Sequence, residues 1–313
     1  MTDIEQNLKA ILGSKLKCRY PLAPLTSFGT GGPARYFFPA ATVEELTTAI
    51  EASRHLGIDH FLIGGGSNLL ISDQGFDGLI IKVDVRGLRL IEGPVVEAGA
   101  GVDLADLVEF TAKHSLTGLE FATGIWGTVG GAVYGNAGAY GGQIGDVVSS
   151  LTLIDGDGRV KEIPVDRCQF GYRDSYLKRS REIVVSARFS LADGDRETIR
   201  KRIDEILALR EAKFPPSGTA GCFFKNIPDP AQPYGKLPAG KLLEEAGAKG
   251  LSVGKAHVYD AHANIIVAES GATSNDIRRL ADKMKEKVKS QFGIRLEEEI
   301  IMIGRFESPE ELY

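Results

Sequence analysis

The sequence lacks the features that mark several large classes of protein. Its 313 residues contain no uninterrupted apolar run long enough to span a bilayer, which takes about 20 residues. No cluster of lysine and arginine is present, the net charge is −5, and the pI is near 5.7. We therefore expect neither a membrane nor a nucleic acid as the main partner.

Cysteine and histidine are also scarce. The three cysteines, Cys18, Cys168 and Cys222, are far apart and odd in number, which favours a reducing compartment and no disulfide framework. Segment 1–17 lacks the apolar stretch of a signal peptide, so we expect a cytoplasmic location. No two histidines are four residues apart and no CxxC motif occurs, so we predict no metal site.

The overall composition is that of a globular protein. With 313 residues, 43% hydrophobic and 25% charged, the chain is long enough for two or three domains. Helical and strand patterns alternate, which predicts an α/β or α+β fold. We predict helices at 43–55, 104–114, 199–210, 239–246 and 275–292, and strands at 60–63, 78–83, 148–154, 160–164, 182–191, 263–268 and 294–303.

Glycine is concentrated in one segment. Nine glycines occupy the 22 positions from Gly124 to Gly145, whereas the chain average of 38 in 313 would place fewer than three there. Glycine allows positive φ and lets another surface approach the main chain closely. Aromatic residues are interleaved with these glycines, which is unusual for a polar surface loop. We predict that this segment contacts a large ligand.

A smaller glycine cluster, Gly64-Gly65-Gly66-Ser67-Asn68, lies between the apolar runs 61–63 and 69–71. It lacks the third glycine of a GxGxxG motif and the lysine of a P-loop. Successive backbone N–H groups in such a turn can still form a nest for an anion, and Ser67 and Asn68 add side-chain donors. A β-turn between two core strands is the alternative interpretation. Together, the two glycine regions indicate a nucleotide cofactor.

Seven motifs, in order along the chain, resemble those of the UDP-N-acetylenolpyruvoylglucosamine reductases. They extend from about residue 20 to residue 304. The motifs are TSFGTGGPA (26–34), GGGSN (64–68), GTVGGAVYGNAGAYG (127–141), FGYRDS (170–175), AGCFFKN (220–226), AGKL (239–242) and LEEE (296–299).

The resemblance implies an α+β protein: a two-subdomain FAD-binding fold of the vanillyl-alcohol-oxidase (PCMH) type, followed by a C-terminal α+β substrate-binding domain. Accordingly, residues 1–84 are predicted to form the first FAD-binding subdomain, 85–212 the second, and 213–313 the substrate-binding domain. The implied function is that of an NADPH-dependent flavoenzyme of peptidoglycan synthesis, which reduces UDP-N-acetylglucosamine enolpyruvate to UDP-N-acetylmuramate. FAD is the expected cofactor, and NADPH is expected to share the site of the UDP-sugar.

The chain departs from the family pattern at two positions. Trp126 stands where the family often has proline, and Cys222 stands where serine is common. Only a short sequence separates Tyr172-Arg173 from the helix at 199–210. This spacing resembles the shorter of the two family types, which lacks an added substrate-covering loop.

Arg173 matches the catalytic arginine of the family. Hydride transfer to the enol ether places negative charge on the conjugated carboxylate, and a guanidinium can pair with both oxygens of that carboxylate. Without the FGYRDS match, a surface salt bridge with Asp174 would be the simpler interpretation.

Cys222 is the predicted proton donor. A thiol with a reference pKa of about 8.5 is mostly protonated at neutral pH and can donate. The alternative is a small buried apolar residue, the commoner role of a lone cysteine. A functional thiol at this position also predicts sensitivity to alkylating reagents.

Glu299 completes the predicted catalytic set and would act with Arg173 on the enolate. Glu297, Glu298 and Glu299 lie within the apolar stretch 294–303. Strand alternation places Glu297 and Glu299 on one face and Glu298 on the other, so the pattern alone does not choose among them. The family match favours Glu299. A charged edge strand is the alternative interpretation for the other two.

The other predicted site residues follow from the same resemblance. The cofactor-binding residues are Gly64, Gly65, Gly66, Ser67, Asn68, Gly130, Gly131, Tyr134, Asn136 and Gly138. The substrate-binding residues are Tyr134, Tyr140, Lys225 and Asn226, although Lys225 is alternatively a solvated surface side chain.

Two other functions stay open at this point. One is an FAD-linked oxidase or dehydrogenase of the same superfamily, although no residue for covalent flavin attachment is evident near the glycine loops. The other is a nucleotide-binding regulatory module, which the joint presence of Arg173, Cys222 and Glu299 argues against. No obligate protein partner is evident from the sequence.

Overall fold

The computed structural model describes residues 3–180, 182–232 and 235–306. The chain forms two compact units, each with its own hydrophobic core. Unit 1 takes in the residues up to 18, 36–65 and 78–210, and unit 2 takes in 19–35, 66–77 and the residues from 211 onward.

The described residues contain both helices and strands, and every helix and strand predicted from the sequence has an observed counterpart. The helices are α1 (Asp3–Leu12), α2 (Val43–His55), α3 (Leu104–Lys113), α4 (Val129–Gly135), α5 (Arg196–Glu211), α6 (Ala239–Glu245) and α7 (Ser274–Phe292). The strands are β1 (Lys17–Pro21), β2 (Pro33–Ala40), β3 (His60–Ile63), β4 (Leu69–Ile71), β5 (Phe76–Val83), β6 (Leu88–Leu90), β7 (Val95–Gly99), β8 (Leu116–Thr117), β9 (Gly138–Ala139), β10 (Gly142–Gln143), β11 (Val148–Ile154), β12 (Val160–Pro164), β13 (Ile183–Ser190), β14 (Ala192–Asp193), β15 (Ile227–Pro228), β16 (Lys236–Leu237), β17 (Ser252–Val253), β18 (Ala256–Val258), β19 (Ile266–Ala268) and β20 (Ile301–Ile303).

The main sheet of unit 1 has five strands in the order β12-β11-β13-β7-β6. All four pairings in it are antiparallel. Strands β11 and β12 have the bounds predicted for the strands at 148–154 and 160–164, and they form a hairpin around Asp155-Gly156-Asp157-Gly158, in which Gly158 has a positive φ of +84°. The apolar side chains of this sheet are buried in the core of unit 1, where α4 packs against β13 and β7.

A second sheet has the strand order β1-β2-β5-β3, and β3 runs parallel to β5. Its register pairs His60 with Leu79 and Ile63 with Lys82, so the carboxyl end of β3 lies beside the carboxyl end of β5. The Gly64–Gly65 turn begins directly after β3. The parallel register therefore brings this turn close to Lys82.

In unit 2, helix α7 packs its buried face against the short antiparallel sheet β17-β18-β19. Thr273 and Asp276 form a reciprocal capping box at the start of α7, and Gly293 ends the helix with a φ of +71°. Strand β20 pairs in parallel with β4, so Ile301 lies opposite Leu69.

Two differences between the prediction and the structure lie in the motifs that carry predicted site residues. The glycine-rich segment contains the helix α4, which was not predicted because three of its seven residues are glycines. The predicted strand 294–303 is a strand only at 301–303, and Phe224 makes an isolated bridge with Glu298 before it. Within the described residues, no helix is both long and apolar enough to cross a membrane.

Candidate active site

In unit 1, the turn after β3 packs directly on the start of the glycine-rich segment. A Cβ added at Gly64 would lie 2.3 Å from the Thr128 Oγ1 atom, and one added at Gly65 would lie 2.8 Å from the Gly127 Cα atom. Real Cβ atoms do not approach other atoms this closely. Glycine is therefore needed at 65 because its backbone lies against the backbone of the second loop, and at 64 because the Thr128 side chain lies there.

The hydroxyl of Thr128 is the strongest sign of a ligand in this region. Thr128 is 4% exposed, and within the described part of the chain its Oγ1 atom has no hydrogen-bond partner. An unsatisfied buried hydroxyl costs about 1–3 kcal/mol. It lies beside Gly64, whose backbone can approach a ligand closely. A buried donor next to bare backbone fits the diphosphate of a dinucleotide, the group that FAD would present here.

Gly130 and Gly131 follow Thr128 but have different environments. The Gly130 N–H donates to the Ala100 carbonyl at 2.9 Å, and a Cβ at Gly130 would lie 2.9 Å from the Ala100 Cβ. Gly130 is therefore needed to pack the segment on the turn at 99–102. Gly131 is exposed, and the nearest atom to an added Cβ would be the Thr128 Oγ1 atom at 3.8 Å.

Trp126, the departure from the family pattern, lies at the start of this segment. Its side chain is 47% exposed. The following residue, Gly127, has a φ of +127°, which favours glycine there. The turn thus obtains its geometry from the glycine after Trp126, without a proline.

Asn136 holds the glycine-rich segment together. It is 1% exposed, has a left-handed φ of +44° and follows the last residue of α4. Its Nδ2 group donates to the Gly171 carbonyl at 2.8 Å, and its Oδ1 atom accepts from the Gly145 N–H at 2.8 Å. Asn136 therefore ties the glycine-rich segment to the loop that carries Arg173.

The two predicted tyrosines occupy different surroundings in unit 1. Tyr134 is 37% exposed, and burial together with the nearby Asp174 carboxylate raises the pKa of its hydroxyl. Tyr140 has a φ of +50° and lines a cavity of about 530 Å³ together with Glu120 and Arg202.

Arg173 has an unusual backbone and a defined side-chain position. Its φ is +53°, a strained conformation for a residue with a side chain, and such strain is concentrated at functional sites. Its Nη1 group donates to the carbonyl of Gly138 at 3.0 Å, and its guanidinium lies 5.6 Å from the centre of the Tyr172 ring. The Lys178 Nζ group donates to the Arg173 carbonyl at 2.5 Å. The neighbouring Asp174 carboxylate pairs with Arg179 at 2.5 Å.

In unit 2, residues 66–68 continue the first glycine loop. Gly66 has a φ of +66°, and a Cβ there would lie 1.8 Å from the Leu25 carbonyl oxygen, so only glycine fits. The Ser27 hydroxyl donates to the Ser67 carbonyl at 3.3 Å. The Asn68 Nδ2 group donates to the Glu299 carbonyl at 2.9 Å. The predicted loop residue Asn68 is thus joined to the predicted acid segment.

Cys222 precedes two fully buried phenylalanines whose backbone is fixed by Asn264. Asn264 is 1% exposed, its Oδ1 atom accepts from the Phe224 N–H at 2.9 Å, and its Nδ2 group donates to the Phe224 carbonyl at 2.8 Å. The Asn264 carbonyl accepts from the Phe223 N–H at 2.8 Å. Cys222 itself is half-buried and pairs with Ile265 in an isolated bridge.

The three consecutive glutamates differ in the groups that they contact. Glu297 is exposed and pairs with Lys225 at 3.3 Å, while Glu298 pairs with Lys285 at 2.6 Å. Glu299 is half-buried, and its N–H donates to the Phe223 carbonyl at 2.8 Å. The backbone of Glu299 is therefore held beside the segment that follows Cys222.

The last two predicted substrate residues also lie in unit 2. Lys225 is half-buried and its ammonium is paired with the Glu297 carboxylate. The Asn226 Oδ1 atom accepts from the Ala239 N–H at 3.1 Å, at the first residue of α6. Asn226 thus connects the AGCFFKN and AGKL motifs.

The other two cysteines lack the surroundings of a reactive thiol. Cys168 is completely buried, and burial raises its pKa to about 11. Cys18 is exposed at the start of the chain. In the part of the chain that the structure describes, no group of three or more histidine, cysteine, aspartate or glutamate side chains is placed to hold a metal.

In unit 1, the structure brings some of the predicted residues into contact: Gly64 and Gly65 touch residues 127–128, and Gly138 bonds to Arg173. Gly64, Gly65, Gly130, Gly131 and the Arg173 loop belong to unit 1, whereas Cys222 and Glu299 lie on adjoining segments of unit 2. Sequence reasoning missed Thr128 and Asn264. Thr128 lies inside one of the seven motifs, but no pattern marks a hydroxyl as unpaired, and Asn264 acts from a distant segment.

A model of the FAD-binding domain matches residues 33–164 of the chain. The glycine contacts and the unpaired Thr128 hydroxyl lie in loops of this region, or close to it in sequence. The fold and the site thus define an FAD-dependent oxidoreductase of the α+β class, as predicted.

The remainder of the chain identifies the family. A model of the UDP-N-acetylenolpyruvoylglucosamine reductase C-terminal domain matches residues 213–303. A protein of that name from Lachnoclostridium phytofermentans is 38% identical over 98% of this chain and 99% of its own length. Another, from Streptococcus pneumoniae, is 34% identical over 100% of this chain and 97% of its own length. The chain belongs to the UDP-N-acetylenolpyruvoylglucosamine reductase family.

A solved structure agrees with this assignment. The UDP-N-acetylenolpyruvylglucosamine reductase from Thermus caldophilus superimposes with a TM-score of 0.76 and is 33% identical, covering 91% of this chain and 97% of that one. The predicted fold, an FAD-binding part followed by a family-specific C-terminal domain, is thereby confirmed.

Proposed function

We propose that this chain uses NADPH to reduce the enolpyruvyl ether of UDP-N-acetylglucosamine enolpyruvate, giving the lactyl ether of UDP-N-acetylmuramate for peptidoglycan synthesis. A hydride adds to the terminal carbon of the double bond, and a proton adds to the carbon next to the carboxylate. The two additions together use one hydride from NADPH and one proton from water. Both substrates are cytoplasmic nucleotides, so the proposal includes a cytoplasmic location.

The flavin would be held by the backbone of unit 1. Bound FAD supplies the chemistry of accepting a hydride from NADPH and passing it to the enol ether. Gly64, Gly65 and Gly131 supply bare backbone, and the buried Thr128 hydroxyl supplies a donor for the diphosphate. NADPH and the sugar nucleotide would use one site in turn, as the family resemblance suggests.

Arg173 would stabilise the negative charge that forms on the substrate carboxylate. Its guanidinium is charged at any physiological pH and can donate two parallel hydrogen bonds to a carboxylate. Its Nη1 bond to Gly138 and its contact with Tyr172 support the side chain in the absence of substrate. Preorganised donors of this kind are often the largest contribution to catalysis.

Cys222 would deliver the proton, with Glu299 as the neighbouring acid of the site. The observation that carries this proposal is the pairing of segment 223–225 with segment 297–299. The Glu299 N–H donates to the Phe223 carbonyl at 2.8 Å, and the Lys225 N–H donates to the Glu297 carbonyl at 2.9 Å. This pairing keeps the residue after the thiol in register with the acid.

The experiment is a product analysis under anaerobic conditions. Protein reconstituted with FAD is supplied with NADPH and UDP-N-acetylglucosamine enolpyruvate, and the sugar nucleotide is examined by mass spectrometry. We expect a product richer by two hydrogens, formed in equal amount to the NADPH consumed. An unchanged sugar nucleotide with continued flavin reduction would refute the proposal.

The same assay also tests the alternative function, that of an oxidase acting on another substrate. Such an enzyme would need oxygen to complete turnover and would leave the enolpyruvyl group intact. Repeating the assay in air, with peroxide as the second readout, separates the two activities. We expect the sugar to be reduced at the same rate under either gas.

A further inference from the structure

Lys82 lies beside the first glycine loop although the sequence around it is apolar. It is the seventh residue of β5, and its neighbours Ile81 and Val83 are both buried. Lys82 itself is half-buried, and its Nζ group donates to the Gly64 carbonyl at 3.1 Å. Burying the ammonium of a lysine in such a strand costs free energy unless the charge is paired or hydrogen-bonded.

The bond from Lys82 determines the direction of the next peptide N–H. No cis peptide bond occurs in the described residues, so the Gly64–Gly65 peptide is trans. In a trans peptide, the C=O and N–H groups point in opposite directions. Because Lys82 holds the Gly64 carbonyl on one side, the Gly65 N–H is directed to the other side.

A second, independent observation indicates that a ligand binds at this loop. The buried Thr128 hydroxyl, which has no partner in the described residues, lies next to the same Gly64. A hydroxyl and an oriented N–H both donate, and the ammonium adds a positive charge nearby. The shared chemistry of these three groups is recognition of an anion.

We propose that Lys82 is the positioning residue for the diphosphate of FAD, acting through the Gly64 carbonyl. Its ammonium holds the peptide so that the Gly65 N–H is preorganised as a donor, and its charge favours an anion at the loop. The neutral flavin ring gains nothing from either effect. Lys82 therefore contributes to affinity for the diphosphate and not for the isoalloxazine.

The test compares ligands that share only part of FAD. Lys82→Met and Lys82→Arg apoproteins are titrated with FAD, ADP and riboflavin, by fluorescence and by calorimetry. We expect Lys82→Met to bind FAD and ADP roughly tenfold or more weakly, since bonds involving a charged group contribute about 1.5–3 kcal/mol. Riboflavin binding should be equal in all variants, and Lys82→Arg should recover most of the lost affinity.

Matched controls separate positioning from folding. Lys161→Met removes another strand lysine of unit 1, one that pairs with Glu182, and should leave binding of all three ligands unchanged. The melting temperature of each apoprotein shows whether it folds. If Lys82→Met does not fold, Lys82→Gln is used instead, because it keeps a donor without the charge. We expect it to lose affinity for ADP, by a smaller factor than Lys82→Met.

Two results would overturn the proposal. In one, Lys82→Met binds FAD and ADP within twofold of the unmodified protein. In the other, riboflavin loses as much affinity as ADP, which would show that the whole loop has collapsed.

Discussion

In unit 1, the predicted cofactor glycines Gly64 and Gly65 lie where a side chain would clash, whereas in unit 2 the predicted proton donor Cys222 precedes residues whose backbone is held by the Asn264 side chain. Gly64 and Gly65 have no space for a Cβ because another loop touches them. The backbone of Phe223 and Phe224 is instead fixed by three hydrogen bonds with the buried Asn264, which accepts two of them and donates one. The first arrangement leaves main chain without side chains at the loop, and the second fixes the backbone that follows Cys222.

This difference predicts two separable kinds of failure. Substitutions in the glycine loops of unit 1 should weaken cofactor binding. Substitutions of the thiol in unit 2 should leave the cofactor bound and remove a chemical step. Arg173 sharpens the comparison because it belongs to unit 1 and yet is proposed to act on the substrate.

The largest expected effect follows from removing the thiol. Cys222→Ala should slow reoxidation of the reduced protein by the enolpyruvyl sugar about 10²–10⁴-fold, because a positioned proton donor contributes that much. FAD content and flavin reduction by NADPH should not change, and Cys222→Ser should keep part of the rate. Stopped-flow absorbance measures both half-reactions. Cys18→Ala is the control, and a Cys222→Ala protein with the parent rate would contradict the assignment.

The next effect is the loss of the guanidinium. Arg173→Ala should lower the rate of the same half-reaction about 10²–10³-fold, the range measured for one lost donor to a developing oxyanion. NADPH should still bleach the flavin at the parent rate. The neighbouring Arg179→Ala, which removes a partner of Asp174, should have little effect. If Arg173→Ala slowed both half-reactions equally, the residue would be structural.

A smaller effect is expected from adding one methyl group to the cradle. Gly64→Ala would place a Cβ 2.3 Å from the Thr128 Oγ1 atom, and relieving such a clash costs about 1–3 kcal/mol. We expect weaker FAD binding in an equilibrium titration. Gly135→Ala is the matched control, since no atom lies within 4 Å of a Cβ there. Equal FAD affinity in the two variants would show that the contact does not matter.

The smallest effect concerns an ion pair on the surface of unit 1, formed by two residues for which no functional role is predicted. Arg200 donates two hydrogen bonds of 2.6 Å to Glu109, and this pairing lowers the pKa of Glu109 from its ordinary 4.5 to about 2. A carboxyl group with a lowered pKa stabilises the fold above its ordinary value and loses that contribution as the pH falls. Both side chains are partly exposed, so Glu109→Gln should cost less than about 1 kcal/mol at pH 7.

Urea unfolding of both proteins between pH 7 and pH 3 measures this contribution. The difference in unfolding free energy should be constant above pH 4.5 and shrink steadily below it. A difference that grows on acidification would mean that the ion pair does not stabilise the charged form of Glu109.

Local patterns predicted much of the fold. The predicted helix 43–55 has the bounds of α2, which Thr42 caps, and the predicted strands 148–154 and 160–164 have the bounds of β11 and β12. Helix α4 was missed because its glycines disfavour a helix in isolation, and contacts with the turn at 99–102 override that preference. Strands β2 and β7 were also missed.

Less of the candidate site than of the fold could be predicted from the sequence. Motif resemblance predicts Arg173, Cys222 and Glu299 as catalytic residues, but the contacts that support the predicted site come from residues distant in sequence. Lys82 is 18 residues from Gly64 and Asn264 is 40 residues from Phe224. Such partners depend on strand register and on burial, which a single sequence does not reveal. Asn136 is an example. It is predicted to bind the cofactor, and the structure shows its side-chain amide bonded to the backbone of Gly145 and Gly171.

The proposed function requires that the chain hold FAD and pass a hydride from NADPH to the enolpyruvyl sugar. The most direct measurement is the visible absorbance of the FAD-reconstituted protein in an anaerobic cuvette. We predict that NADPH bleaches the flavin and that stoichiometric UDP-N-acetylglucosamine enolpyruvate restores its colour. A protein that takes up no FAD, or whose bleached flavin is unaffected by the sugar, would contradict this function.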